Sequence, residues 1–141
     1  MSKPRQLKKS QYETLAAFRY SLRQFLHFSE QAALMTGVTA QQHQALLAIK
    51  GYPGRERVTV GELAERLQIR HHSTVELIDR LVAEKLVIRE PFAEDHRQVL
   101  IGLTRRGEAV LEKLAFVHRQ QLKQIGPEIR QLLEQLGSLE E

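Results

Sequence analysis

The stretch that most constrains this chain is residues 59–107, TVGELAERLQIRHHSTVELIDRLVAEKLVIREPFAEDHRQVLIGLTRRG. Val60, Leu63, Ala64 and Leu67 fall at i, i+3, i+4 and i+7, one face of a short helix. Thr59 followed by Glu62 has the spacing of a capping box for that helix. After a turn at residues 68–70, Thr74, Val75, Ile78, Leu81 and Val82 share one side of a second helix. Residues 86–90 and 99–104 alternate like strands, with a polar, turn-like segment between them. Two short amphipathic helices followed by a strand, a loop and a strand make a helix-turn-helix with a β-wing. That order of elements serves to set a helix in a DNA groove.

The flanks are helical as well. Leu15, Phe18, Leu22, Phe25 and Leu26 recur at spacings of three and four, marking a long helix over residues 10–35 that ends near Gly37. Thr39 can cap a further helix to Lys50, and Gly51, Pro53 and Gly54 break the chain after it. A very short strand is expected at 58–60. Val110, Leu111, Leu114, Val117 and Ile125 define a last long helix, expected to break at Gly126-Pro127 and resume through Ile129, Leu132, Leu133, Leu136 and Leu139. The fold class expected is mainly α with a small β-wing. One domain spans 1–141, with a winged helix-turn-helix region at 39–104 between dimerisation helices at 10–35 and 106–139. Those terminal helices are too apolar on one face for each to be covered by the other alone. A two-fold homodimer is therefore expected.

Charge qualifies the DNA reading. The chain carries a net +4. Residues 1–54 hold seven Lys/Arg against two Asp/Glu, residues 55–106 hold ten against nine, and residues 107–141 hold four against six. The helix-turn-helix segment is thus close to neutral. Contact with DNA must come from placed arginines, helped by helix N-termini and the basic N-terminal segment, rather than from a general basic field. No apolar run approaches the ~20 residues of a membrane span, and the first ten residues lack the apolar stretch of a signal peptide. A cytoplasmic protein without membrane contact is expected. There is no cysteine, hence no disulfide and no thiolate chemistry in these residues.

On a wheel of about 100° per residue, with Ile78 turned to the core, His72, Ser73, Glu76, Arg80 and Ala83 fall on the far side of the second helix. His72 and Ser73 sit near its start, where recognition helices touch bases. Arg80 is placed for the phosphate backbone. Glu76 either accepts from a cytosine N4 amine or tethers Arg80 four residues on. Arg70, His71 and His72 crowd the helix start. His71 lies toward the core side and is expected to pack against the preceding helix. Adjacent histidines on a helix diverge by about 100° and do not converge on a metal. In the wing, Arg97 suits a narrow minor groove, and Asp95 is expected to hold Arg97 or Arg89 by a bidentate pair.

These residues resemble the MarR family of winged-helix regulators. The likeness is carried by Asp79-Arg80-Leu81, Leu86-Val87, Arg89, Asp95-x-Arg97, Leu103-Thr104 and Gly107, and the flanking helices match in number and length. Gln68 stands where a small residue is common, and Glu76 where Arg is frequent. The resemblance implies an obligate homodimer on a palindromic operator of double-stranded DNA, with recognition helices about 34–36 Å apart in successive major grooves and Arg97 in the minor groove. It implies a repressor released by a small aromatic or phenolic effector. Phe18, Leu22, Phe25, His43, Tyr52 and His118 are its candidate pocket residues.

Zinc response is the alternative within the same fold. His27, His43 and His118 lie in the helices around the pocket that the resemblance implies, but no two stand at i, i+4, and no metal ligand or cofactor is assigned. Cysteine-based oxidant sensing is excluded by composition. There is no HExxH, GxSxG, glycine-rich phosphate loop or cysteine nucleophile, and Glu94-Asp95 lies in a turn without a carboxylate partner. An enzyme is not expected. A winged helix used for protein–protein contact is the remaining rival, and it predicts weak salt dependence of binding.

Overall fold

The structure is a computed structural model that describes residues 6–91 and 98–137. Five helices and three strands follow one another as α1 (Lys9–Met35), α2 (Ala40–Lys50), β1 (Arg57–Val58), α3 (Val60–Leu67), α4 (His71–Ala83), β2 (Val87–Pro91), β3 (Val99–Leu103) and α5 (Arg105–Gly137). The chain is mainly helical with a small antiparallel sheet, as its periodicities imply.

Each boundary has a local cause. α1 ends at Thr36, and Gly37 follows at φ 91°, a left-handed conformation that glycine adopts without a Cβ penalty. Thr39 and Thr59 cap α2 and α3 through full capping boxes with Gln42 and Glu62. Gln68 closes α3 in the left-handed region at φ 55° and turns the chain into α4. That is the turn where a small residue is common. Here Gln68 donates its side-chain amide to the Glu65 carbonyl at 2.7 Å.

The sheet has the order β1–β3–β2, all antiparallel, with Arg57 opposite Gly102 and Gly102 opposite Ile88. Because Gly102 has no side chain, Arg57 crosses β3 to pair with Glu90 on β2; its Cγ lies 3.2 Å from where a Gly102 Cβ would be.

The sequence Leu103-Thr104-x-x-Gly107 receives a physical explanation. The Thr104 hydroxyl donates to the Lys85 carbonyl at 2.6 Å and accepts the Gly107 N–H at 3.0 Å, so one side chain caps α5 and ties it to the start of β2. A Cβ on Gly107 would stand 2.1 Å from the Leu86 carbonyl oxygen, so only glycine fits at this crossing.

The core lies between α2, α3, α4, the sheet and the first half of α5. Leu46, Ile49, Leu63, Ile78, Leu81, Leu86, Ile101 and Leu114 are fully buried in it. Each such side chain contributes roughly 1.5–3 kcal/mol by leaving water. α1 and α5 pack along each other. Both still expose large apolar side chains, among them Tyr12, Tyr20, Leu26 and Leu34 on α1 and Phe116, Leu122 and Leu133 on α5.

The expected break at Gly126-Pro127 does not occur. α5 continues through Pro127 to Gly137. Proline removes one N–H from the helical ladder. Residue 123, whose carbonyl that N–H would have met, is exposed, so water can take its place.

Candidate nucleic-acid interface

α4 buries Thr74, Leu77, Ile78 and Leu81. Leu77 replaces the expected Val75, which is only half-buried, and this turns the buried arc by about 50° on the helical wheel. The exposed arc gains Asp79 and keeps His72, Ser73, Glu76, Arg80 and Ala83. His71 is exposed and does not pack into the core. It is the first residue of α4.

Arg70 is the N-cap of α4, it makes no side-chain cap bond, and the first turn contains no acidic residue. The N–H groups of His71, His72 and Ser73 therefore lack intrahelical partners and stand beside exposed Arg70. The positive end of the helix dipole adds to this, and the arrangement suits phosphate oxygens. The rigidity behind it is local: Thr74, fully buried, donates its hydroxyl to the Arg70 carbonyl at 2.9 Å.

Glu76 contacts His72, not Arg80, with Oε1 3.2 Å from the imidazole Nε2. Helical side chains lean toward the N-terminus, so the Glu76 carboxylate reaches back one turn. Arg80 is left for another partner. Arg89 on β2 is ion-paired with Asp79 of α4. A carboxylate that holds Arg89 is thus on α4. Asp79 was legible only as part of the Asp79-Arg80-Leu81 match. Asp95 and Arg97 lie outside the described residues.

Behind this face, α1, α2 and α5 enclose an aromatic cluster. The His43 and His118 rings are 4.8 Å apart, and Phe25 and Phe28 approach His118 edge-on at 5.9 and 5.6 Å. A carbonyl can only accept, so His118 Nδ1 carries the proton donated to Leu114 at 2.6 Å. The buried Ser29 hydroxyl then donates to Nε2 at 2.8 Å. His43 is buried and its Nδ1 has no hydrogen-bond partner among the described residues. Burial, and then the neighbouring His118, push the His43 pKa down to about 4.

Of the expected pocket residues, Phe25, His43 and His118 come together here. Phe18 and Leu22 are half-buried on α1. Tyr52 is engaged elsewhere, its ring lying under the guanidinium groups of Arg55 at 4.8 Å and Arg66 at 5.1 Å. Phe28 and Ser29 were not singled out from sequence, although their spacing from Phe25 places them on one side of α1. His27 is exposed, and no group of three potential ligands for a metal ion occurs among the described residues. No helix among them is long and apolar enough to cross a membrane.

The family model of the MarR family matches residues 36–98, from the end of α1 to the residue before β3. The Organic hydroperoxide resistance transcriptional regulator of Bacillus subtilis (strain 168) is 31% identical over 105 residues, 72% of this chain and 69% of the relative. Among solved structures, AbsC, a MarR family transcriptional regulator from Streptomyces coelicolor, superposes with a TM-score of 0.76 at 21% identity, covering 96% of this chain and 93% of that one. A mutant of Staphylococcus aureus MepR bound to an oligodeoxyribonucleotide gives a TM-score of 0.67 at 20% identity, covering 95% and 96%. The fold, the matched segment and the relative agree: this chain belongs to the MarR family of transcription regulators, DNA-binding proteins rather than enzymes.

Proposed function

We propose that the protein is a repressor that binds a palindromic DNA operator as a homodimer and lets go when a small aromatic or phenolic ligand binds. The observation that carries the reading is the exposed, uncapped start of α4, where Arg70, His71, His72 and Ser73 surround free N–H groups. His72 and Ser73 read base edges, with Glu76 steering His72. Arg70 and Arg80 meet phosphates. Arg97 enters the minor groove, and Arg89 is tied to α4 by Asp79.

The dimer is supported by the apolar side chains that α1 and α5 leave exposed, with Tyr20, Leu26 and Phe116 each about 60% accessible. A second copy laid across them would cover this surface and set two α4 helices at operator spacing. The effector reading is supported by the cluster of Phe25, Phe28, His43 and His118 between these helices and the winged region. The Bacillus relative is named for organic hydroperoxides. This chain has no cysteine, so a thiol-based response to oxidants is not open to it.

A mobility-shift assay on DNA from the protein's own upstream region, with a panel of phenolic acids, tests the reading. A shift that one of them reverses is expected. Sedimentation showing a stable monomer at micromolar concentration would remove the dimer.

A further inference from the structure

Away from the DNA-reading face, three helices close around two imidazoles. α2 contributes His43, 3% exposed, and α5 contributes His118. α1 covers the pair with Phe25, Phe28 and the Ser29 hydroxyl. The titratable group facing His43 is His118; burial and that imidazole govern its proton affinity, with no carboxylate contributing. Both nitrogens of His118 are satisfied, by the Leu114 carbonyl and the Ser29 hydroxyl. A proton on His43 would meet no acceptor on Nδ1 and a second imidazole at its side.

The residue before His43 reaches the other way. Gln42, 5% exposed, accepts the Thr39 N–H through Oε1 at 2.9 Å and donates Nε2 to the Glu84 carboxylate at 2.7 Å. Glu84 is the C-cap of α4. The first turn of α2 therefore carries both the buried imidazole and the side chain that holds the end of the recognition helix.

We propose that the His43–His118 chamber is a proton-responsive element, in which proton uptake opens the packing of α1, α2 and α5 and, through Gln42 and Glu84, frees the end of α4 so that DNA is released in mild acid. The closed form holds His43 neutral, with its pKa lowered from 6.5 to about 4. An open form, with His43 hydrated, takes a proton from solvent at the ordinary histidine value. Below pH 6.5 the open form therefore gains on the closed one by about tenfold per pH unit, until His43 titrates in place.

The full chain is tested at constant ionic strength from pH 8 to 5.5 in two ways: by affinity for a duplex from its own upstream region, and by amide exchange of α2 without DNA, corrected for intrinsic rates. Wild type is expected to lose affinity below pH 6.5 and to exchange about tenfold faster in α2 at pH 5.5 than at 7.5. His43→Gln and His43→Phe should lose both effects. In Gln42→Leu, acid should still speed exchange in α2 while affinity no longer falls; an unchanged acid loss of affinity would remove the Gln42 link. A His43→Gln profile identical to wild type, or α2 exchange in wild type that ignores pH, overturns the proposal. The exchange arm needs neither DNA nor a variant that folds, so it separates failure here from failure of the operator reading.

Discussion

Arg89, in the strand that leads into the wing, is ion-paired with Asp79 on the recognition helix. The ion pair ties β2 to α4 across ten residues of sequence. Both side chains are largely exposed, at 40% and 59%, so the pair adds only about 0.2–1 kcal/mol to stability. What it fixes is the position of β2 against α4.

Asp79→Ala should therefore cost under about 1 kcal/mol in denaturant unfolding. Its loss of DNA affinity should be larger, because wing and helix no longer arrive in register. Asp79→Ala, Arg89→Ala and the double variant form a cycle whose coupling energy in binding should exceed its coupling energy in folding. Equal coupling in both would assign the pair to stability alone.

His72→Ala should alter sequence preference by about 1–3 kcal/mol at one base step, with little effect on folding. Binding to a set of single-base operator variants reads this out. Uniform weakening across the set would assign His72 to the backbone. Glu76→Ala should then shift preference at the same step, because the carboxylate orients that imidazole.

Gly107→Ala places a methyl where the Leu86 carbonyl oxygen stands, 2.1 Å from the new carbon. A destabilisation of about 3 kcal/mol is expected, from overpacking against backbone that cannot move aside freely. A melting temperature equal to wild type would show that α5 does not cross β2 this closely.

Stability should follow pH through His43. Its folded pKa is depressed from 6.5 to about 4, so its full contribution is present above pH 6.5. It is lost as pH falls from there toward 4, by roughly 1.4 kcal/mol per unit. Urea unfolding at pH 7.5 and 5.5 should show a drop that His43→Gln abolishes.

Much of this was readable in residues close together in the chain. Thr59 with Glu62 marks the start of α3, and Leu103-Thr104-x-x-Gly107 marks the wing's return into α5, because caps and close crossings demand particular residues at fixed spacing. The buried side of α4 was readable to within about 50° of the wheel, turned because Leu77 rather than Val75 is buried. Contacts between distant segments were not readable. Nothing local ties His118 to Ser29, Gln42 to Glu84, or Arg89 to Asp79; these follow from how the elements pack. Pro127 misled because proline stops helices in general, whereas here a long helix tolerates one missing bond on an exposed stretch.

On the proposed reading, the start of α4 and the wing grip DNA phosphates while a few side chains read bases. Fluorescence anisotropy of the wild-type chain on duplex DNA from its own upstream region, measured across salt concentrations, decides this. The logarithm of affinity should fall linearly with the logarithm of salt, by about a thousandfold between ~50 and ~200 mM, as several phosphate contacts require. Affinity that stays constant over that range would contradict it.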